Sequence, residues 1–413
     1  MKSKVSIFIV PSVIGLLSLR LWAAEPKRDV CSPNSYSELI KCIEAQSPEI
    51  KISEQQLQSV RHLEGVAEQW LNPELEAENL SKGRRQSETT ASLLFTWRLG
   101  GKKEALINEA RAEIEKAHLE RDFKIQKVRL ESMLSAYRLR HLKNEIALEH
   151  ETGETFSKII KQYQKRSGLS PEQNVSLAIF RMALSDHQLR LTKLNSEHER
   201  LVNQFKTLAH VEPSSLLKSL PNRRDSWPEL ESSAFQDSSL QMKQAMADLK
   251  IAKSQKAKAE SDAWPDLKLG PSVRTSKEGD ETNTFVGFGL QIPLPVFSQN
   301  RGAKAYQAQK VNEAELIFEQ TQRQTAAVRS DLIYRYSQAV QSLKASLSQR
   351  ELSEKHQEIE RQFFKGVIPS SLVIEAHRQL FELEERRNAL ELEALEAYGQ
   401  LLILQEQFAG VLL

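Results

Sequence analysis

The chain has 413 residues and a formal net charge of +2, from 57 basic and 55 acidic side chains. Charged residues make up 27% of it and the mean hydropathy is −0.48. That excludes a bundle of apolar transmembrane helices, each of which needs about 20 mainly apolar residues. The balanced charge gives no global field toward nucleic acid, and two cysteines exclude a disulfide-rich scaffold and any cluster of four thiolates. With only 15 Gly and 14 Pro, and runs of Glu, Lys, Gln, Ala, Leu and Arg, the composition points to long helices.

Residues 1–24 read as a secretory signal. Lys2 and Lys4 form a basic start, Val5 to Leu19 an apolar stretch and Ala23-Ala24 a small-residue exit, while Pro11, Gly15 and Arg20 argue against a retained anchor. Its removal takes the net charge from +2 to −1. Arg28-Asp29-Val30 precedes Cys31 and is unlike a lipidation signal. In an oxidising compartment Cys31 and Cys42 are either a short-loop disulfide or two buried thiols.

Self-similarity organises the remainder. Gly168-Leu169-Ser170-Pro171, followed by Val175 and Ala178, matches Gly366-Val367-Ile368-Pro369, followed by Val373 and Ala376, at a constant offset of 198. Asn72-Pro73-Glu74-Leu75 resembles Trp264-Pro265-Asp266-Leu267 at an offset of 192. The first repeat, 25–212, is predicted as a helix, a β-hairpin at 72–97, a long helix at 102–166 and a helix at 171–210. The second, 213–413, follows the same order, with a hairpin at 265–293, a long helix at 300–365 and a helix at 369–410.

The strand signal is period two. Leu267, Leu269 and Val273 alternate with Lys268, Gly270, Ser272 and Arg274, and Val286, Phe288, Leu290 and Ile292 alternate with Gly287, Gly289 and Gln291. Between Lys102 and Arg166 there is no Pro and only Gly153. A helix of roughly 100 Å follows from a rise of about 1.5 Å per residue. It has two apolar seams, one through Ile107, Ala110, Ile114 and Ala117, the other through Leu119, Phe123, Leu130, Leu134 and Tyr137. The last helix carries a heptad through Leu380, Leu383, Leu390, Ala394, Ala397, Leu401 and Leu404, with Arg387 as its exception. Two seams suit a wall of helices with a neighbour on each side. Four strands cannot close a transmembrane barrel, which starts at about eight, so in a membrane several chains must share one.

These features, over nearly the whole mature chain, resemble the TolC-type outer-membrane efflux family. Ser37-Glu38-Leu39-Ile40-Lys41-Cys42-Ile43 and Ser47-Pro48-Glu49-Ile50 are similar to its opening helix, and both Gly…Val..Ala turns to its periplasmic tips. Ile292-Pro293-Leu294-Pro295-Val296-Phe297, continuing to Asn300-Arg301-Gly302, resembles the barrel-to-helix junction of the heavy-metal efflux branch. The resemblance implies a mainly α chain whose four β-strands join a shared transmembrane β-barrel, in a homotrimer continued by a long coiled-coil tunnel.

It also implies an exit duct in the outer membrane of a Gram-negative cell, in contact with outer-membrane lipid. The partners would be a periplasmic adaptor (membrane fusion) protein and an inner-membrane pump of RND or ABC type. The adaptor-docking positions would be Gly168, Leu169, Val175 and Ala178, with Gly366, Val367, Val373 and Ala376. Ser371-Leu372-Val373-Ile374-Glu375-Ala376 departs from the family's two-acid constriction, leaving Glu375 alone in the second acidic place.

No GxSxG elbow, Walker loop, His-Glu-x-x-His or Rossmann glycine pattern is present. No catalytic, cofactor or metal residues are assigned, and the chain does not read as an enzyme. His187 and His198 are about three helical turns apart, too far for one metal, and read as solvated or interhelical. Glu382, Glu384, Glu385, Glu391, Glu393 and Glu396 read as a solvated coiled-coil face. The rival readings are the outer-membrane component of a type I secretion system and a structural periplasmic coiled-coil protein. A structural rod has no reason to repeat two hairpins between its helices.

Overall fold

A computed structural model describes residues 31–82, 86–224, 226–230, 239–297, 299–347 and 349–406. The expected leader at 1–24 lies outside them. In chain order the elements are α1 (Tyr36–Gln46), α2 (Pro48–Glu68), β1 (Glu74–Lys82), β2 (Gln86–Trp97), α3 (Lys102–Gln164), α4 (Pro171–Ala209) and α5 (Pro213–Leu216). Then follow α6 (Leu240–Ser261), β3 (Leu267–Glu278), β4 (Glu281–Gln291), α7 (Arg301–Ala345), α8 (Gln349–Phe364) and α9 (Ser370–Leu404). The 63 residues of α3 span about 95 Å.

The strands form one antiparallel sheet in the order β1-β2-β3-β4. The chain runs from α2 into β1, from β2 into α3, from α6 into β3 and from β4 into α7. Packing repeats that order: α2 lies on α3, α3 on α6 and α6 on α7. Each strand therefore continues a helix in its own column. Beyond this layer α4 packs on α3, α9 packs on both α3 and α7, and α8 packs on α9. The wall has one free side formed by β1, α2 and α4, and another formed by β4 and α7, while near the turns α8 meets α3 and α4 through Thr155–Glu360 and Phe180–Phe363.

The seam of α3 through Phe123, Leu130, Leu134 and Tyr137 packs against α9, and another face of α3 packs against α1 and α4. Leu139 and Leu142 join Leu39, Ile43, Leu201, Phe205 and Leu216 in one core, and Leu130, Met133 and Tyr137 meet Leu395 and Leu402 of α9 in another. The heptad of α9 packs Ala394, Ala397, Leu401 and Leu404 against Leu332, Tyr336 and Leu343 of α7. Near the turns Phe156, Ile159, Phe180 and Val373 draw both helical hairpins together.

The long helix expected at 300–365 is not continuous: α7 stops at Ala345 and α8 starts at Gln349. Serine weakens a helix by offering the backbone a competing side-chain bond. Here the Ser346 hydroxyl donates to the Leu343 carbonyl at 2.8 Å, and Ser346 itself is extended (φ −78°, ψ 154°). Arg387 of α9 donates to the Leu347 carbonyl at 2.7 Å and also bonds the Ser346 hydroxyl. The residue that broke the heptad thus serves the break in the neighbouring helix.

Cys31 and Cys42 are disulfide-bonded, with their Cα atoms 6.1 Å apart. The Cys31 amide donates to the His210 carbonyl at 3.2 Å, and the Glu212 amide to the Cys31 carbonyl at 3.2 Å. The segment before α1 is thereby tied to the joint between the two repeats.

Candidate functional site at the sheet and the helical turns

Residues opposite one another on paired strands share a face. Leu269 opposes Phe95 and Leu290, Val273 opposes Ala91 and Val286, and Leu75 opposes Leu93, so one face of the sheet is apolar over the half nearer the helices and turns polar toward the hairpin tips. Phe288 and Val286 on it are more than 80% exposed. The opposite face is polar: Lys268 meets Glu74 at 2.5 Å, Arg274 meets Glu88 at 2.9 Å, and Gln86 donates to Glu278 at 2.7 Å. Among the described residues no helix is long and apolar enough to cross a membrane.

Gly270, Gly287 and Gly289 also lie on the polar face. A Cβ at Gly270 would stand 1.8 Å from the Leu93 carbonyl oxygen, and one at Gly289 would stand 3.3 Å from Leu94 Cδ2. Removing side chains there lets the backbones approach and lets Leu94 bury itself on an otherwise polar surface.

The two turns at the far end match in sequence but not in backbone. After α8, Gly366 has φ 75°, its amide donates to the Phe363 carbonyl at 2.8 Å and the Val367 amide to the Gln362 carbonyl at 3.0 Å. This is a left-handed glycine cap that satisfies the last carbonyls of a helix. Gly168 lies outside the positive-φ region, and its turn is closed instead by a capping box: the Gln173 amide donates to Ser170 Oγ and the Ser170 amide to Gln173 Oε1. A Cβ at either glycine would meet nothing within 4 Å.

The positions expected to dock a partner divide in the same way. Val175 is 60% exposed on α4, at the wall's free side, and Ala178 and Val367 are exposed too. Leu169 is half-buried against the Phe156 core. Val373, the sequence equivalent of Val175, has no exposed surface and belongs to that core, because α9 sits inside the wall rather than on its edge. It therefore offers no surface to a partner, and Ala376 is half-buried. Glu375 accepts hydrogen bonds from Arg378 at 2.6 and 2.9 Å and from Gln379 at 2.7 Å. The bonds from Arg378 and then Gln379 hold its carboxyl below the usual range.

This arrangement of sheet, wall and turns is that of solved outer-membrane channels. The OprN outer-membrane channel superposes with a TM-score of 0.73 at 14% identity, over 91% of this chain and 90% of that one. The Campylobacter jejuni CmeC outer-membrane channel gives 0.69 at 11% identity, covering 91% and 85%. CusC gives 0.65 at 14% identity, covering 92% and 95%. The chain has the TolC-type channel fold. No family sequence model and no curated protein sequence matches it.

Within this TolC-type fold a buried ionic cluster joins α3 to α9, and it corrects the reading of the α9 acids as a solvated face. Glu384 and Glu391 are buried. Arg140 Nη2 and His141 Nε2 lie 2.6 and 3.0 Å from the same Glu391 oxygen, and the Arg224 amide donates to its other oxygen at 3.3 Å. Glu145 receives Arg138 at 3.0 Å and Asn388 at 2.8 Å. Burial opposes ionisation of Glu391, but the bonds from His141 and Arg140 outweigh it and bring its pKa to about 2. Burial pushes the His141 imidazole below its ordinary value. The sequence signal was available: Glu384, Asn388, Glu391, Leu395 and Leu402 share heptad spacing, as a second seam of α9. His187 is interhelical, paired with Glu149 of α3, with Arg190 3.6 Å from the same carboxylate. Its ring stands 5.1 Å from Phe156, and the Phe156 ring stands 5.2 Å from His377.

Proposed function

We propose that three copies of this chain close into a ring and form the exit duct of an efflux system in the outer membrane of a Gram-negative cell. The observation that carries this reading is the matched pair of free sides. One side presents β1 with α2 and α4, the other β4 with α7, so a head-to-tail contact extends the sheet and the helical wall together. Exposed strand edges cannot be left in lipid, and cyclic closure removes them. The apolar sheet face then meets lipid and the polar face lines the passage. The duct works passively: substrate enters from an inner-membrane pump of RND or ABC type through a periplasmic adaptor, and the pump supplies both selection and energy.

The adaptor is proposed to engage the turns, through Gly168, Leu169, Val175 and Ala178 on the first and Gly366 and Val367 on the second. Glu375 stands in the second turn of α9, and with Arg378 bound to it the pair adds little net charge to a constriction there. The direct test is fractionation. The chain should sediment with outer membranes and migrate as a trimer that dissociates on heating, whereas recovery as a soluble periplasmic monomer overturns the reading.

A further inference from the structure

Cys31 stands where three parts of the chain meet. Its disulfide reaches Cys42 of α1, and its backbone forms a parallel bridge with Val211 through the His210 carbonyl and the Glu212 amide, each at 3.2 Å. His210 ends α4 with φ 50°, a left-handed conformation that is costly for a residue with a side chain, so this joint needs support from outside its own helix. Around it Ala209, Val211 and Leu216 are buried with Leu39 and Ile43 of α1, and Cys31 packs against that core. Beyond Leu216 the chain crosses to the second repeat, where the Arg224 amide bonds Glu391 of α9 at 3.3 Å and the Trp227 ring stands 6.2 Å from that of Tyr336 of α7. The second repeat thus takes its course from this joint.

The two ends of the disulfide are held very differently. α1 is docked without it, by Leu39 and Ile43 in the core and by Arg129 of α3, which donates to Glu44 at 2.9 Å. Residues 31–35, Cys-Ser-Pro-Asn-Ser, have little of their own to hold them, since Pro33 alone among their side chains is buried. Main-chain hydrogen bonds near solvent contribute little net stability. The disulfide therefore fastens a weakly held segment, and through it the joint, to a firmly held helix. It closes a short loop, with a separation of 11 residues, so its effect is local to that joint rather than spread over the chain. Both cysteines are half-buried, within reach of a thiol reagent.

We propose that the Cys31–Cys42 disulfide is a redox clasp on the joint between the repeats, so that the chain becomes competent to assemble only after oxidation outside the cytoplasm. Closing it joins the two Sγ atoms and releases two protons and two electrons. The electrons pass to the disulfide of a protein thiol oxidant, which is left as a dithiol. A reducing cytosol keeps the clasp open, and a chain still there has a loosely held joint and an unsettled second repeat. The link from clasp to assembly rests on the ring reading given above, whereas the link from clasp to joint does not.

The test compares the full wild-type chain, before and after reduction with a phosphine, with a chain carrying Cys31→Ser and Cys42→Ser. A maleimide mass tag counts thiols, limited proteolysis reads the joint at 209–217 and the first turn at 165–170, and heat-dissociable trimers are counted in outer-membrane fractions. The clasp requires that the wild type takes no tag until it is reduced. Reduction and the double substitution should then each speed cleavage at 209–217 several-fold and leave 165–170 unchanged, and the double substitution should lower trimer yield several-fold. Free thiols in the unreduced chain, unchanged cleavage at 209–217, or equal acceleration at both places overturns the clasp. Wild-type trimer yield in the substituted chain overturns the assembly requirement. Absence of trimers from the oxidised wild type overturns the ring reading, and cleavage at the joint, which needs no ring, still decides the clasp.

Discussion

Glu391 and His141 form a buried pair whose protonation the fold opposes at both members. The Glu391 value of about 2 lies below that of an unfolded carboxyl, so its contribution is complete above about pH 4.5 and is lost as pH falls toward 2. His141 is also depressed, so the stability gained by keeping it neutral is complete above about pH 6.5 and shrinks as pH falls below that. Both effects make acid destabilising. Thermal melting of the wild type should weaken between about pH 7 and pH 5, and His141→Gln should flatten that part of the profile; an unchanged slope would remove His141 as its source. Glu391→Ala leaves Arg140 buried without its carboxylate and should cost about 3 to 5 kcal/mol in denaturant unfolding. The heptad of Glu384, Asn388 and Glu391 was there to be read, but a polar residue at such spacing looks the same whether it faces water or a partner helix. Only the position of Arg140 and His141 on α3 separates the two.

At the scale of single elements, the repeat located both turns, because the glycine, proline and small residues recur at one offset. It did not reveal that the turns close by different means, since capping by Ser170 and Gln173 has no counterpart after Gly366. The difference makes the glycines separable probes. Gly366→Ala forces a Cβ into the left-handed region and should destabilise by about 1 kcal/mol, while Gly168→Ala should be near neutral. Gly168→Trp then adds bulk into open space without backbone strain. It should abolish export and adaptor crosslinking at unchanged trimer yield, and normal export would remove Gly168 from the docking surface. The break between α7 and α8 was hidden because Ser346 is only weakly unfavourable in a helix, and the Leu347 carbonyl beyond it is served by Arg387, from a different element. Arg387→Ala should increase amide exchange or proteolysis at 343–347, with little change at the tips.

For the whole molecule, the sequence showed long helices, two hairpins of strands between them and their order, because hairpin alternation and a two-seamed α3 do not fit a simple rod. What could not be read was that every strand continues a helix in its own column, so that strand edges and helix edges coincide. Phe288 stands 83% exposed on the apolar face of β4, and if that face meets lipid an Arg there should cost about 2 to 4 kcal/mol near a bilayer midplane. Phe288→Arg should lower the yield of heat-dissociable trimers in outer-membrane fractions. Phe285→Arg, on the polar face, should assemble far better. Equal yields would mean that the sheet faces are assigned the wrong way round.

The pairing of β2 with β3 joins residues as far apart in the chain as Gln86 and Glu278, 192 positions. Each hairpin is local and quick to form, whereas this seam waits until most of both repeats exist, since closing so long a loop is slow. Before that, each half exposes only two apolar strands. Timing is thereby built into the topology: a nascent chain has no complete four-stranded apolar face until its second hairpin has been made.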